Sequence, residues 1–329
     1  MFFGYINILY FNIENNNIAK IIIKKKKKTT QQHTQLHRKS RGRFINLQWF
    51  SGTMPTIIRY AEIGTKGKNR SQFENRLIFN LRDCLKKNHT IPSKIVRERG
   101  RILVYSDSFL RVLKDVFGVA SLSESVECPL DLESIQQTAL SLATASSFQT
   151  FKVDAQRMNK SFPLTSLELN QQIGKHIQEK TGATVLLSNP DLTIGIEILG
   201  NAAFLFTNRV EGRGGLPIGT QGKVLSSIDS KASLLAAYLL MRRGSKVVFW
   251  ADDAKAIAPL ERYSYGQRNL VFLKKEKKSL DELLRKEKIK AVSLPGNHYP
   301  KKILPGILCL DPLVGFSEEE IHERCEALF

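Results

Sequence analysis

One stretch of this chain limits its fold more than any other. Residues 223–228 read as a strand, 232–243 as a helix closed by Gly244, and 246–250 as a second strand. Strand, helix and strand in that order make a βαβ unit, with parallel pairing and a right-handed crossover. The alternation continues through 269–273, a helix at 280–288, 289–293 and a last helix from Ser317. A parallel α/β sheet is therefore expected over 212–329, entered through a glycine-rich connector at 212–222.

Two units precede it. Residues 56–63 have strand character and 64–70 form a basic, glycine-containing turn, after which Phe73, Leu77, Leu81, Cys84 and Leu85 recur at helical spacing. Strands around 95–97 and 101–105 and a helix near 109–116 complete a small α/β sandwich over 54–127. The next unit, 128–211, starts with a helix over 131–143. Residues 148–155 (FQTFKVDA) alternate as a half-buried strand. A helix follows from Ser166 to Lys180, with Ser166 and Glu168 favouring its start and Gly182 its stop. Strands at 185–187, 192–198 and 202–206 are joined by Asn-Pro-Asp and Gly-Asn turns.

Charge narrows the function. The chain carries 50 Lys and Arg against 31 Asp and Glu, a net +19. Residues 1–53 hold ten of those cations (Lys20, Lys24, Lys25, Lys26, Lys27, Lys28, Arg38, Lys39, Arg41, Arg43) and the single acid Glu14. Without them the balance is still +10, which favours a polyanionic partner such as nucleic acid. Residues 1–53 are expected to be a basic disordered extension. They read as a nucleic-acid arm, a targeting sequence or, preferably, residues ahead of a start at Met54. The early charge-free run, 1–13, is too short to span a bilayer, and no 18-residue apolar stretch follows, so no membrane is expected and the location reads as cytoplasmic. Cys84, Cys128, Cys309 and Cys325 lie far apart without a C-x-x-C pair, and the histidines show no ligand spacing, so neither a disulfide framework nor a metal site is signalled.

Several motifs carry a resemblance. FKVDAQRMNKSFPLTSLELNQQIG (151–174), with the Pro190-Asp191 turn and the 194–198 strand, resembles a THUMP domain, an RNA-binding module of tRNA-modifying enzymes. GRGGLPIGTQGKV (212–224), AAYLLMRRG (236–244), RYAEIGTKGKNR (59–70) and DPLVGFSEEEI (311–321) are similar to motifs of the tRNA 4-thiouridine synthetases, or tRNA sulfurtransferases. The resemblance implies an α/β chain with three domains. These are an N-terminal ferredoxin-like domain, a THUMP domain, and a truncated Rossmann-like PP-loop domain of the adenine nucleotide α-hydrolase type. In that family the two N-terminal domains grip the tRNA acceptor stem and measure the distance to uridine 8. The catalytic domain then adenylates the uracil O4 with ATP and Mg²⁺, and a persulfide displaces AMP. A sulfur-donor protein or a separate thiolation enzyme is the implied partner, and a homodimer is left open.

The candidate RNA contacts are Lys66, Lys68 and Arg70 in one turn and Lys152, Arg157 and Lys160 flanking a strand end, because phosphates ask for charge and reach rather than base-edge geometry. Asp154 and Gln156 stand where relatives commonly place basic residues. The PP-loop pattern Ser-Gly-Gly-x-Asp-Ser turns backbone amides towards pyrophosphate at a helix start. Here its place is taken by Asp229-Ser230-Lys231-Ala232-Ser233, one residue shorter and without either glycine. Ser226, Ser227, Asp229, Ser230, Lys231 and Ser233 form the remnant nucleotide loop, in which Lys231 offers a point charge; the competing reading is a helix start capped by Asp229 or Ser230. A Thr-Gly-Glu-Ser-type segment and a sulfur-relay cysteine pair are missing over 253–312, Asp311 replaces the usual arginine before Pro-Leu, and Cys309, in an apolar run, reads as buried. The segment 311–315 lacks the G-x-G of a methyltransferase cofactor loop. Lys274, Lys275, Lys277 and Lys278 read equally as a solvated helix approach and as an RNA strip. The expectation is a tRNA-binding family member with a degenerate PP-loop and no confident catalytic residue. The alternatives are an active ATP-dependent sulfurtransferase and a subunit indifferent to RNA.

Overall fold

A computed structural model describes residues 54–267, 271–274, 284–293 and 306–329. The 1–53 extension and the lysines at 275–278 lie outside the described residues, as do residues 280–283 of the helix expected at 280–288; 284–286 are helical and 287–288 a turn. Three five-stranded sheets follow one another along the chain.

The first sheet is antiparallel. It holds β1 (Met54–Arg59), β2 (Lys94–Glu98), β3 (Arg101–Ser106) and β4 (Ser121–Glu124), in the order β4-β1-β3-β2. Helix α1 (Arg70–Lys87) covers one face with Leu77, Leu81, Cys84 and Leu85, the apolar stripe expected at helical spacing. This is the ferredoxin-like arrangement with one helix reduced. The helix expected near 109–116 is a 3₁₀ turn, Arg111–Asp115, because the chain must reach β4 within a few residues. The strand expected over 56–63 also stops early, at Arg59. Ile63 is buried from within a 3₁₀ turn, Glu62–Thr65, and an apolar residue read by periodicity alone looks the same in either setting.

The second sheet contains β5 (Val126–Pro129), β6 (Thr150–Arg157), β7 (Thr184–Val185), β8 (Leu192–Leu199) and β9 (Ala202–Phe206), ordered β5-β9-β8-β6-β7. Phe151, Val153 and Ala155 project from β6 into a core closed by α2 (Leu132–Thr144) and α3 (Ser166–Thr181). Asp131 caps α2 by accepting from the Ser134 amide. Thr165, rather than Ser166, caps α3 in a reciprocal box with Glu168, and Gly182 ends it at φ 73°, a left-handed conformation that suits glycine. A short strand β10 (Val210–Glu211) then pairs with β4, so the chain rejoins the first sheet before entering the third.

The third sheet is parallel throughout. Its strands are β11 (Lys223–Ile228), β12 (Lys246–Ala251), β13 (Val271–Lys274), β14 (Ala291–Ser293) and β15 (Leu308–Cys309), in the order β13-β12-β11-β14-β15. The order reverses between β11 and β14, which is where open α/β sheets form a crevice at their carboxyl ends. Helices α4 (Lys231–Arg242) and α5 (Glu318–Leu328) share one buried cluster with the sheet.

The first domain touches both others. Ile57 and Leu103 of the first sheet pack against Leu199, Phe204 and Phe206 of the second. Within that contact Glu197 is fully buried, held by Arg59 Nε and Arg101 Nε at 2.6 Å each. Phe206 lies across Gly195, where an added Cβ would sit 2.1 Å from the ring, and the Arg59 guanidinium lies over the same ring, 4.6 Å from its centre. On the remaining flank, Arg76 of α1 donates to the Ile218 and Gly266 carbonyls at 2.6 Å each, and the Gly266 amide donates to Asp83 at 2.8 Å.

Candidate nucleic-acid interface and nucleotide loop

After β1 the chain passes through two 3₁₀ turns, Glu62–Thr65 and Gly67–Asn69, before α1 begins at Arg70. Gly67 takes φ 52°, the left-handed region, which glycine adopts at low cost. Lys68 is exposed, and Lys66 Nζ lies 5.5 Å from the Phe73 ring centre. Arg70 donates from Nε to Glu74 at 2.8 Å and from Nη2 to the Tyr60 hydroxyl at 2.9 Å, while that hydroxyl donates to Glu74.

Sheet order brings a second basic element alongside. Arg97 donates to Ser71 Oγ and Asn75 Oδ1 at 3.2 Å each. Lys68, Arg70, Arg97 and Arg99 line one groove with Gly67, Ser71, Glu74 and Glu98. Arg97 and Arg99 are absent from the sequence-derived candidates. The signal that could have found them is RERGR at 97–101, a dense basic run at a hairpin turn. A Cβ on Gly100 in that turn would lie 3.0 Å from Met158 Cε and 3.7 Å from Arg70 Nη2, so the groove adjoins the second domain. Lys160 is exposed in the loop after Met158.

The remaining candidates do not converge with one another. Arg157 and Lys152 are five residues apart on β6, so they project from opposite faces. Arg157 donates to the Phe162 carbonyl at 2.7 Å, which ties down the loop; Lys152 is half-buried on the face that carries Gln156, itself an acceptor from Arg101 at 2.9 Å.

The nucleotide loop lies at the carboxyl end of β11 and consists of Asp229 and Ser230. Ser230 is the cap of α4, its hydroxyl accepting from the Ser233 amide at 3.2 Å. Ser233 Oγ in turn accepts from the amides of Asp229 and Ser230, at 2.9 Å each, and donates to the Ser230 carbonyl at 2.7 Å. One side chain therefore occupies the two backbone amides of this loop. Lys231 points to α5, where its ammonium meets Glu326 at 2.7 Å, a contact that raises its pKa above the ordinary lysine value. Ser227 is nearly buried beside Asp229, with 3.5 Å between their side-chain oxygens. Ser226 and Ser293 are register partners on β11 and β14, both buried, and their hydroxyls have no hydrogen-bond partner among the described residues.

The thiols divide by exposure. Burial pushes Cys84 up to about 12 and Cys128 up to about 11, and Cys325 is also raised by burial, its thiol donating to the Lys231 carbonyl at 3.4 Å. Cys309 is exposed, which corrects the expectation that it is buried: its apolar run forms a short strand that pairs, among the described residues, with β14 alone. We expect a maleimide reagent at neutral pH to modify Cys309 first in the folded chain, with Cys84 and Cys128 reacting only on unfolding. Peptide mapping that found Cys84 or Cys128 labelled at a similar rate would contradict their burial. Among the described residues no cluster of His, Cys, Asp or Glu could hold a metal ion, and no helix is long and apolar enough to cross a membrane.

The architecture defines a THUMP protein whose THUMP module is preceded by a ferredoxin-like domain and followed by a parallel five-stranded α/β sheet. Residues 56–123 match the ThiI ferredoxin-like domain family and residues 130–208 the THUMP domain family. A probable tRNA sulfurtransferase of Thermococcus kodakarensis is 34% identical over 253 residues, covering 70% of this chain and 66% of that protein. Another, from Methanocaldococcus jannaschii, is 40% identical over 209 residues, covering 59% and 55%. The crystal structure of PH1313 from Pyrococcus horikoshii superposes with a TM-score of 0.74 at 34% identity, covering 84% of this chain and 99% of that one. A 4-thiouridine synthetase solved as an RNA complex with bound ATP shares the fold, with a TM-score of 0.66 at 22% identity and 84% of each chain covered. The chain belongs to the THUMP-domain tRNA 4-thiouridine synthetase, or tRNA sulfurtransferase, family. It spans between half and two thirds of the curated relatives it matches.

Proposed function

We propose that this chain binds the acceptor stem of tRNA and serves the thiolation of uridine 8 in the cytoplasm without a competent ATP site of its own. In this reading the groove of Lys68, Arg70, Arg97 and Arg99 takes phosphates, and Lys66 and Lys160 extend it. A separate sulfur-transfer enzyme or sulfur-donor protein completes the chemistry. The RNA complex of a 4-thiouridine synthetase with the same fold supports the RNA half of the reading.

The observation that carries the other half is the Ser233 hydroxyl seated on the amides of Asp229 and Ser230. A pyrophosphate cradle needs amides turned outward, and glycine makes that turn cheap. This loop has no glycine, its amides are already bonded, and Lys231 is engaged by Glu326. ATP with Mg²⁺ does not fit the loop as folded.

The test mixes the full chain with tRNA, ATP and sulfide and follows AMP release and 4-thiouridine absorbance. We expect neither above the protein-free background, together with retained tRNA binding. AMP release that depends on tRNA and disappears in Asp229→Ala or Lys231→Ala would establish the second reading, an active ATP-dependent tRNA uracil 4-sulfurtransferase. That reading draws on the intact switch point between β11 and β14, where Ser226 and Ser293 leave two buried hydroxyls for a ligand.

A further inference from the structure

The geometry points to Glu74 as a positioning residue for RNA binding: a buried carboxylate that fixes Arg70 and Arg97 in the groove without touching RNA. The inference rests on the RNA-binding reading of that groove.

A carboxylate beneath a surface meant for a polyanion is a paradox in simple charge terms, since it repels phosphate and costs desolvation. Glu74 is nevertheless buried, with its side chain 8% exposed, in the first two turns of α1. Its two oxygens divide the work. Oε1 accepts from Arg70 Nε at 2.8 Å and from the Tyr60 hydroxyl, and Arg70 Nη2 closes the ring by donating to the same hydroxyl. Oε2 faces Arg97 Nη1 at 3.7 Å, and Ser71 and Asn75 hold that guanidinium from the side. The two arginines remain 33% and 43% exposed, so each keeps free donors towards the groove while its stem is fixed.

Fixing an arginine before binding matters because a free one loses much rotamer freedom when it grips phosphate. A guanidinium already held along one edge presents its other edge in a set direction, which suits bidentate phosphate contact. Glu74 thus gives up some long-range attraction for geometry.

The two effects have opposite signs, which makes the idea testable. Glu74→Gln removes a negative charge from the groove. If charge alone governs binding, an in vitro transcribed tRNA binds the variant more tightly than the parent; if positioning governs, it binds more weakly. We expect affinity to fall roughly three- to tenfold at moderate salt. We also expect the loss to shrink when Arg97→Ala is already present and to vanish when Arg70→Ala and Arg97→Ala are both present, because Glu74 then has neither guanidinium left to position. Tyr60→Phe, which changes no charge, should weaken binding in the same direction by a smaller factor. Should Glu74→Gln fail to fold by its melting curve, Tyr60→Phe measured with and without Arg70→Ala carries the same cycle. Equal or tighter binding by Glu74→Gln, or strict additivity with Arg97→Ala, overturns the inference while wild-type binding stands. A wild-type chain that does not bind tRNA overturns the RNA-binding reading itself.

Discussion

Replacing Glu197 with alanine is expected to cost about 3–5 kcal/mol, a large share of the roughly 5–15 kcal/mol that holds a typical fold. The reason is what it leaves behind. Arg59 and Arg101 face the carboxylate from the first sheet with side chains only 6% and 12% exposed, so both are left largely desolvated and unpaired once it is gone. Arg59 is already under strain of this kind, since its Nη2 has no partner among the described residues and burial lowers its pKa. For Glu197, burial pushes the pKa up, but attraction to Arg59 and Arg101 outweighs it and holds the carboxyl below its ordinary value. The sign of the pH effect follows. The contribution is fully present above the unfolded-state pKa of about 4.3 and is lost as pH falls through the lower folded value. Glu197→Gln should therefore flatten the acid limb of a stability curve as well as lowering it. Removing all three charges with Arg59→Met, Glu197→Leu and Arg101→Met should be far milder, because a packed apolar trio leaves no orphan ion. Urea melts of these variants check both halves. A Glu197→Ala chain within about 1 kcal/mol of the parent would mean that Leu199, Phe204 and Phe206 hold the two sheets together without the ions.

That ion triad also shows where sequence reading stops. Residues that speak through local geometry were legible: the alternation of Phe151, Val153 and Ala155, Asp131 at a helix start, Gly182 at a helix end, and the basic turn before Arg70. Each depends on neighbours within about one helical turn, where period and capping chemistry are fixed by the backbone. Glu197 meets Arg59 across 138 positions, and nothing local in GIEIL announces a buried acid. Arg97 and Arg99 join the groove only because β2 lies two strands from β1, a fact of sheet order. Ser233 is ambiguous in the sequence for a different reason. A serine three places after a serine cap suits a phosphate loop and a closed helix start equally, and in the structure Ser230 caps α4 while Ser233 closes on it. Cys309 was misjudged because an apolar run signals burial only when the strand has cover on both sides.

Because α1 runs from the groove to the third domain, whatever grips RNA at its start is mechanically continuous with the backbone around Ile218 and Gly266 at its far end. Arg70 and Glu74 open the helix in the groove, while Arg76, Asn80, Asp83 and Lys87 along it hold the backbone at Ile218, Gly266 and Gln267. A chain that had lost its nucleotide loop would still present RNA to a partner in a fixed orientation through this helix, which is the role proposed here.

Reversing Lys68 and Arg99 together, as Lys68→Glu and Arg99→Glu, is expected to weaken tRNA binding on the order of a hundredfold near 0.1 M salt. Both side chains are exposed, both line the groove, and neither has a carboxylate partner among the described residues, so the fold loses nothing with them. Each cation that meets a phosphate releases a condensed counterion. Losing two should therefore lower the slope of log affinity against log salt by about two. Net charge alone could mimic a loss of affinity, so the comparison that decides is an equal reversal elsewhere. Lys175→Glu with Lys255→Glu changes the charge by the same amount, on α3 and on the turn after β12, where neither side chain lines the groove. That pair should shift binding by no more than about threefold, through weak long-range attraction that salt screens. Equal losses from the two pairs would mean that the RNA responds to the whole basic surface, and the groove between the turn at Gly67 and the hairpin at Gly100 would have no special claim on it.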